Sequence, residues 1–171
     1  MAHLEHHIPA GHPFNTTLET GIRALVVLEA FYPRRCDLLE ITWLDHLVVH
    51  TGDLDGPDVP QSLHPDLPNR AGELLVRRQL VERSLRLMQQ VHLVEVFETE
   101  TGIEFSASEE APSYLDLLQS PYSIALKQRA KWIAGHFAGM ATSEMRALIE
   151  IRIGRWSAEF RIEDTPSGPS K

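Results

Sequence analysis

The feature that most constrains this chain is an order of segments: three helical repeats of apolar residues in succession, then two short strand-like runs joined by Glu100-Thr101-Gly102. Asn15, Thr16 and Thr17 are candidate N-caps for the first helix. Leu18, Ile22, Leu25, Val26 and Leu28 follow at helical spacing, and Pro33 ends the run because proline cannot continue the hydrogen-bond ladder. The second helix starts near Asp37, carries Leu38, Ile41, Leu44, Leu47 and Val48, and has Gly52 as its expected stop. The third runs from about residue 69 to 90. At roughly 100° per residue its apolar face gathers Leu74, Val76, Leu80, Val81, Leu85, Leu87 and Met88. Val94, Val96 and Phe97 mark the next strand, and Ile103, Phe105 and Ala107 its return. Gly102 is free to take positive φ in the turn. Three helices followed by a hairpin is the order of a winged helix. The expected fold is therefore mainly α with a small β-hairpin, a winged-helix-like core followed by C-terminal helices.

Residues 109–118 read as a short helix. Pro121 opens a longer one, with Tyr122, Leu126, Ile133 and Phe137 on its apolar side. Gly139 separates it from a last helix over 143–156, with Thr142 as a possible cap and Met145, Ile149, Ile153 and Trp156 on one face. The expected division is a flexible arm over 1–14, a winged-helix-like domain over 15–108, a helical extension over 109–162 and a disordered Pro/Gly/Ser-rich tail over 163–171. Residues 51–68 form the longest irregular stretch, and loops of that length inside a domain are often functional.

A lone cysteine, Cys36, excludes an internal disulfide framework. No apolar run approaches the ~20 residues needed to span a bilayer. The histidine-rich start lacks the apolar core of a signal peptide. The chain therefore reads as cytoplasmic and without a membrane contact. Its formal net charge of -8 argues against free-standing nucleic-acid binding.

The candidate chemistry is weak. His46 and His50 stand four apart on one helix and could share a metal with Asp53, His64 or Asp66. The residue after His46 is Leu47, where a metalloprotease helix carries glutamate. Ser62, His64 and Asp66 are too close along one loop to form a catalytic triad unaided, and no nucleophile elbow surrounds the serine. Asp53, Asp55 and Asp58 suggest calcium, but the glycine and glutamate of an EF-hand are replaced by Asp58 and His64. Cys36 lies beside Arg34 and Arg35 without a recognisable histidine partner and reads as a passive thiol. No glycine-rich phosphate loop is present. The reading is a chain with no catalytic residue, no metal site and no cofactor.

Arg77 is the most informative residue. The wheel places it within the apolar face of the third helix, with Arg70 on nearly the same line. A guanidinium there must be paired, or its desolvation costs several kcal/mol. Two readings stay open: a structural salt bridge to Asp45 or Glu73, or a partner surface at this end of the helix. The exposed ladder Arg78, Glu82 and Arg86 lies on the helix that would enter a DNA groove, but Glu82 would repel phosphates.

Several blocks in order then become informative together. They are Phe14-Asn15-Thr16-Thr17-Leu18-Glu19-Thr20-Gly21-Ile22-Arg23-Ala24-Leu25, Tyr32-Pro33-Arg34-Arg35, and Leu47-Val48-Val49-His50-Thr51-Gly52-Asp53. Ser62-Leu63-His64-Pro65 leads into Arg70-Ala71-Gly72-Glu73-Leu74-Leu75-Val76-Arg77-Arg78, and Ala107-Ser108-Glu109-Glu110-Ala111 and Ser120-Pro121-Tyr122 complete the set. From about Phe14 to Trp156 the chain resembles the middle component of ABC three-component systems, the group that includes Lamassu-type anti-phage defence. The resemblance implies a small non-catalytic adaptor joining an SMC-like ABC ATPase to an effector, often a nuclease, with any DNA contact made only within the complex. On that reading His64, Arg70, Glu73, Arg77, Arg78 and Tyr122 are the expected partner-binding residues. The competing reading is a winged-helix transcription regulator whose third helix reads DNA.

Overall fold

The computed structural model describes residues 16–66 and 70–163, with side chains left undescribed at 70–71 and 156–163. The expected arm, the tail from 164 onward, and the side chains of Arg70 and Trp156 lie outside the described residues; Glu163, the expected first residue of the tail, ends the last helix. Helix α1 spans Thr17–Phe31 and begins at a reciprocal cap. The Thr16 hydroxyl accepts from the Glu19 amide, and the Glu19 carboxylate accepts from the Thr16 amide. After a cis Tyr32–Pro33 bond comes a two-residue strand, β1, Cys36–Asp37. Asp37 also caps α2, Leu38–Val49, in a second reciprocal box with Glu40. A 3-10 turn, Thr51–Asp53, follows. Helix α3 is Arg70–Gln90. Strands β2, Val94–Thr99, and β3, Gly102–Ala107, form the hairpin. The chain continues with α4, Ala111–Asp116, α5, Pro121–His136, and α6, Thr142–Glu163.

The sheet is antiparallel in the order β1-β3-β2, with Cys36 opposite Phe105 and Val96 opposite the same residue from the other side. Gly102, at φ 133°, closes the turn opposite Thr99, as the sequence leads one to expect. Strand β1 has no such signal. Two residues carry no periodicity, and Asp37 reads as a helix cap, which it also is.

Helix α1 sits at the centre. Ala24, Leu25, Val27 and Leu28 are buried on nearly all sides, because α2, α3 and α5 all pack against it. Gly21 permits the close approach of α3: a Cβ there would lie 2.7 Å from the Met88 terminal methyl. Leu126 and Ile133 of α5, with Phe137 at its C-terminal cap, enter the same core as Trp43 of α2, whose ring lies 5.3 Å from that of Phe137. Met145 and Ile149 of α6 close it. The tie between the end of α1 and the start of α6 is polar. Arg34 donates to the Met140 carbonyl and to the buried Glu40 carboxylate. Arg146 of α6 pairs with Asp37.

Four expectations need correcting. Helix α2 ends at Val49 with His50 as its cap, not at Gly52, because the chain tightens into the 3-10 turn first. Leu18 is 54% exposed in the first turn of α1. Val76 is 69% exposed: it lies ~200° around the helix from Leu74, and the buried stripe is Leu74, Arg77, Val81, Ser84, Leu85 and Met88. Helix α6 continues to Glu163, past the expected end at Trp156. No helix of the described residues is long and apolar enough to cross a membrane.

Candidate functional site

Three of the expected site residues, His64, Arg77 and Tyr122, fall on a polar seam that runs from the core of the helical cluster to its surface. At its deep end is Asp45, fully buried on α2. Its Oδ1 accepts from Arg23 Nε at 2.8 Å, and its Oδ2 accepts from Arg77 Nη1 at 2.6 Å. Arg23 Nη2 also reaches Oδ2 at 3.4 Å and the Thr20 hydroxyl at 3.2 Å. One carboxylate therefore ties α1, α2 and α3 together. Burial pushes the Asp45 carboxyl upward, and the two guanidinium groups outweigh it, holding it below its usual value. For Arg23, burial works against the charge, and Asp45 outweighs that and raises its pKa.

Histidine rings occupy the next stretch. His46 is buried beside Asp45, and its Nε2 lies 2.8 Å from Asp53 Oδ2. An ionised carboxylate only accepts, so that nitrogen carries the proton. Burial lowers the His46 pKa against the pull of Asp53. The His50 ring stacks on His46 with centroids 4.6 Å apart and meets His64 edge-on at 5.9 Å. Burial, then coulombic repulsion from a second proton on His46 and from Arg77, pushes His50 down to about 3. Burial, then Arg23 and Arg77, push His64 down to about 4. His64 Nε2 lies 2.8 Å from the Tyr122 hydroxyl at the outer end of the seam. Tyr122 is 36% exposed, and burial of its hydroxyl raises its pKa.

The long loop after α2 is held on its inner side. The Leu63 and His64 amides both donate to the Val49 carbonyl, so the loop folds back over the end of α2. Thr51 Oγ1 donates to the Pro60 carbonyl, and the Ser62 hydroxyl accepts from the Gly52 amide. Arg129 of α5 clamps the Gln61 carbonyl with two nitrogens. These bonds explain how a proline-rich segment is fixed without regular structure.

Of the expected partner-binding residues, the seam brings together His64, Arg77 and Tyr122. Arg77 is 6% exposed and turned inward onto Asp45, the first of the two partners that the sequence offered. Its neighbour Arg78 points outward and is exposed. Glu73 is half-buried in the first turn of α3, and the bonds to Asp45 come from Arg23 and Arg77 instead. His46, His50 and Asp53 do lie close, as the metal reading required. Among the described residues, no group of three or more such side chains is arranged to hold a metal. Ser62 and His64 each turn to the other partners given above. Cys36 is buried, and burial followed by Glu40 pushes its thiol up to about 12, so Arg34 does not activate it.

Arg23 is the functional residue that sequence reasoning missed. Its signal was present: Thr20, Arg23 and Val27 share one line of the α1 wheel, the line that faces the core.

A second surface lies on the other side of α3. Leu75, 73% exposed, lines a groove of about 260 Å³ between α2, α3 and α6, and Val76, 69% exposed, lies further round the helix. The hairpin carries the opposite character, with exposed Glu95, Glu98 and Glu100.

Among known families, residues 13–159 match a model described as ABC-three component (ABC-3C) system Middle Component 2. No curated protein and no solved structure matches the chain.

Proposed function

The chain belongs to the Middle Component 2 family of ABC three-component systems, and from that membership we propose that it is a non-catalytic adaptor subunit of a bacterial anti-phage defence complex. Its partners are an SMC-like ABC ATPase and an effector, most simply a nuclease, as in Lamassu-type systems. It holds the effector inactive until foreign DNA is sensed. The core acts as a winged-helix-like unit over 15–108, extended by the helices over 109–162.

The observation that carries this reading is where the ionisable residues go. Buried Asp45 bridges Arg23 and Arg77, and buried His46 meets Asp53; Arg23 also borders a pocket of about 190 Å³ with Tyr122, whose other lining is mostly apolar and, among the described residues, carries no second paired ionisable group. Active sites place perturbed groups in a cleft with room for a reacting atom. Here the buried charged groups cross-link helices. Their role is to keep the outer surfaces rigid, and rigidity lowers the entropic cost of docking.

The DNA-regulator reading has less behind it. A hairpin bearing Glu95, Glu98 and Glu100 would repel phosphates wherever the third helix entered a groove. Native mass spectrometry on the chain co-expressed with the products of its neighbouring genes tests the adaptor role. The expected result is a stable complex containing an ATPase and a second component. A lone monomer that binds duplex DNA with sequence preference and a steep salt dependence would replace this reading with the regulator.

A further inference from the structure

We propose that α6 is a detachable clasp: it lifts as one unit about Gly139 when its ion pairs are screened, and bares the face of α2 and α3 that it covers.

Little apolar surface holds the helix down. Over its described side chains, 142–155, only Met145 and Ile149 are buried, and Leu148, Arg152 and Ile153 are half-buried. Helix α1, by contrast, buries nine of its 15 residues. Ile153 shares the groove of about 260 Å³ with Leu39, Trp43 and Leu74, so that end of the contact is loosely filled. Atoms facing a gap forfeit part of their dispersion attraction. The remaining ties are polar. Arg146 pairs with Asp37 and Arg152 with Asp55, and each pair has an exposed member. Arg34 donates to the Met140 carbonyl at 3.4 Å and lies 3.1 Å from the Met145 sulfur. Exposed ion pairs contribute little and weaken as salt rises.

The geometry lets this helix leave without the rest unfolding. Gly139 joins α5 to α6 at φ 79°, and a Cβ there would meet nothing within 4 Å. The link is therefore unpacked and tolerates rotation. Helix α6 carries its own start, because the Glu144 carboxylate accepts from the Ala141 amide. Its 22 residues exceed the ~12–15 below which an isolated helix is marginal. The core keeps its main ties. Asp45 joins α1, α2 and α3, and Trp43 packs on Phe137, which precedes the hinge.

Charge gives the release its sign. Residues 142–155 carry Arg146, Arg152 and Arg155 against Glu144 and Glu150, a net positive strip on a chain of net charge -8. Salt screens that attraction and loosens α6, whereas it relieves the repulsion within the acidic body. The two parts should answer salt in opposite directions.

The test is amide hydrogen exchange of the full chain, read by mass spectrometry at ~0.02 M and ~0.5 M sodium chloride. Amides over 146–155 should share one opening equilibrium and exchange at least ~100-fold faster than the buried amides of α1 and α2. The higher salt should speed them a further ~3- to 10-fold and leave the core amides unchanged or slower. Arg146→Ala combined with Arg152→Ala should speed α6 by a similar factor at low salt and remove its salt response. Exchange of α6 as slow as that of the core would overturn the clasp, since the helix would then open only with the whole chain. A gradient of rates falling away from the C-terminal end would overturn it as well, being ordinary fraying. So would a salt response that moves α6 and the core together.

Discussion

Replacing Asp45 with asparagine is the most demanding test of the seam. The Asp45→Asn change keeps the side-chain shape and removes the charge, leaving Arg23 and Arg77 at 2% and 6% exposure with no carboxylate between them. Half of the new amide would also point N–H groups at N–H groups. Breaking a buried pair from one side costs ~3–5 kcal/mol. Against a total stability of ~5–15 kcal/mol, that is a large fraction. For a chain of this size each kcal/mol moves the melting temperature by ~2–4 °C, so a fall of roughly 6–20 °C is expected. Urea denaturation monitored by tryptophan fluorescence and calorimetry should agree on it. Replacing all three charges with apolar residues (Arg23→Met, Asp45→Leu, Arg77→Met) should recover most of the loss, because the desolvation of three ions disappears as well. The sign of the pH dependence is fixed too. Asp45 is held below its ordinary 3.8, so its contribution is fully present above that value and is lost as the pH falls through the lower folded value. A loss under ~1 kcal/mol for the asparagine variant would refute the claim that this carboxylate holds three helices together.

Other expectations follow from the same geometry. His46, His50 and His64 all bind protons less readily when folded than at the ordinary 6.5, His50 near 3 and His64 near 4. Stability should therefore be full above pH 6.5 and fall steadily from there toward pH 4, and His50→Phe should flatten the slope in a pH series of denaturation curves. Cys36 should resist a thiol reagent at about pH 8 in the folded chain and react at once in denaturant, since its thiol titrates at about 12; rapid native labelling would contradict its burial. Thr16→Ala removes the α1 cap and should cost ~1 kcal/mol by urea titration. Gly21→Val places a branched side chain against Met88 and should cost ~1–3 kcal/mol, read as a lower melting temperature.

The helices were legible because each carries its own local signals. Thr16 and Asp37 cap in the way their residue types suggest, and Ser120 with Pro121 opens α5. The hairpin was legible from Gly102. Strand β1 was not, because its pairing with Phe105 and Glu104 is set by residues far away along the chain. Nor was the true face of α3. A wheel weighted by hydrophobicity counts Val76 and discounts Arg77, whereas Asp45 turns the helix so that the arginine goes in and the valine goes out. Arg77 signalled a buried partner correctly, but Arg23, which shares that partner, was hidden inside an apolar run. The groove was out of reach altogether, since Leu39, Leu75 and Ile153 have no relation along the chain.

That last separation has a consequence for when the groove can form during synthesis. One wall of the groove comes from α2, one from α3, and one from α6 through Ile153. During synthesis the first two walls leave the ribosome long before the third. A nascent chain can build the Asp45 cross-link and most of the core while α6 is still being made, yet it has no complete groove to offer. The groove is therefore complete only once the last helix has packed, and a product truncated before Ile153 lacks one of its walls.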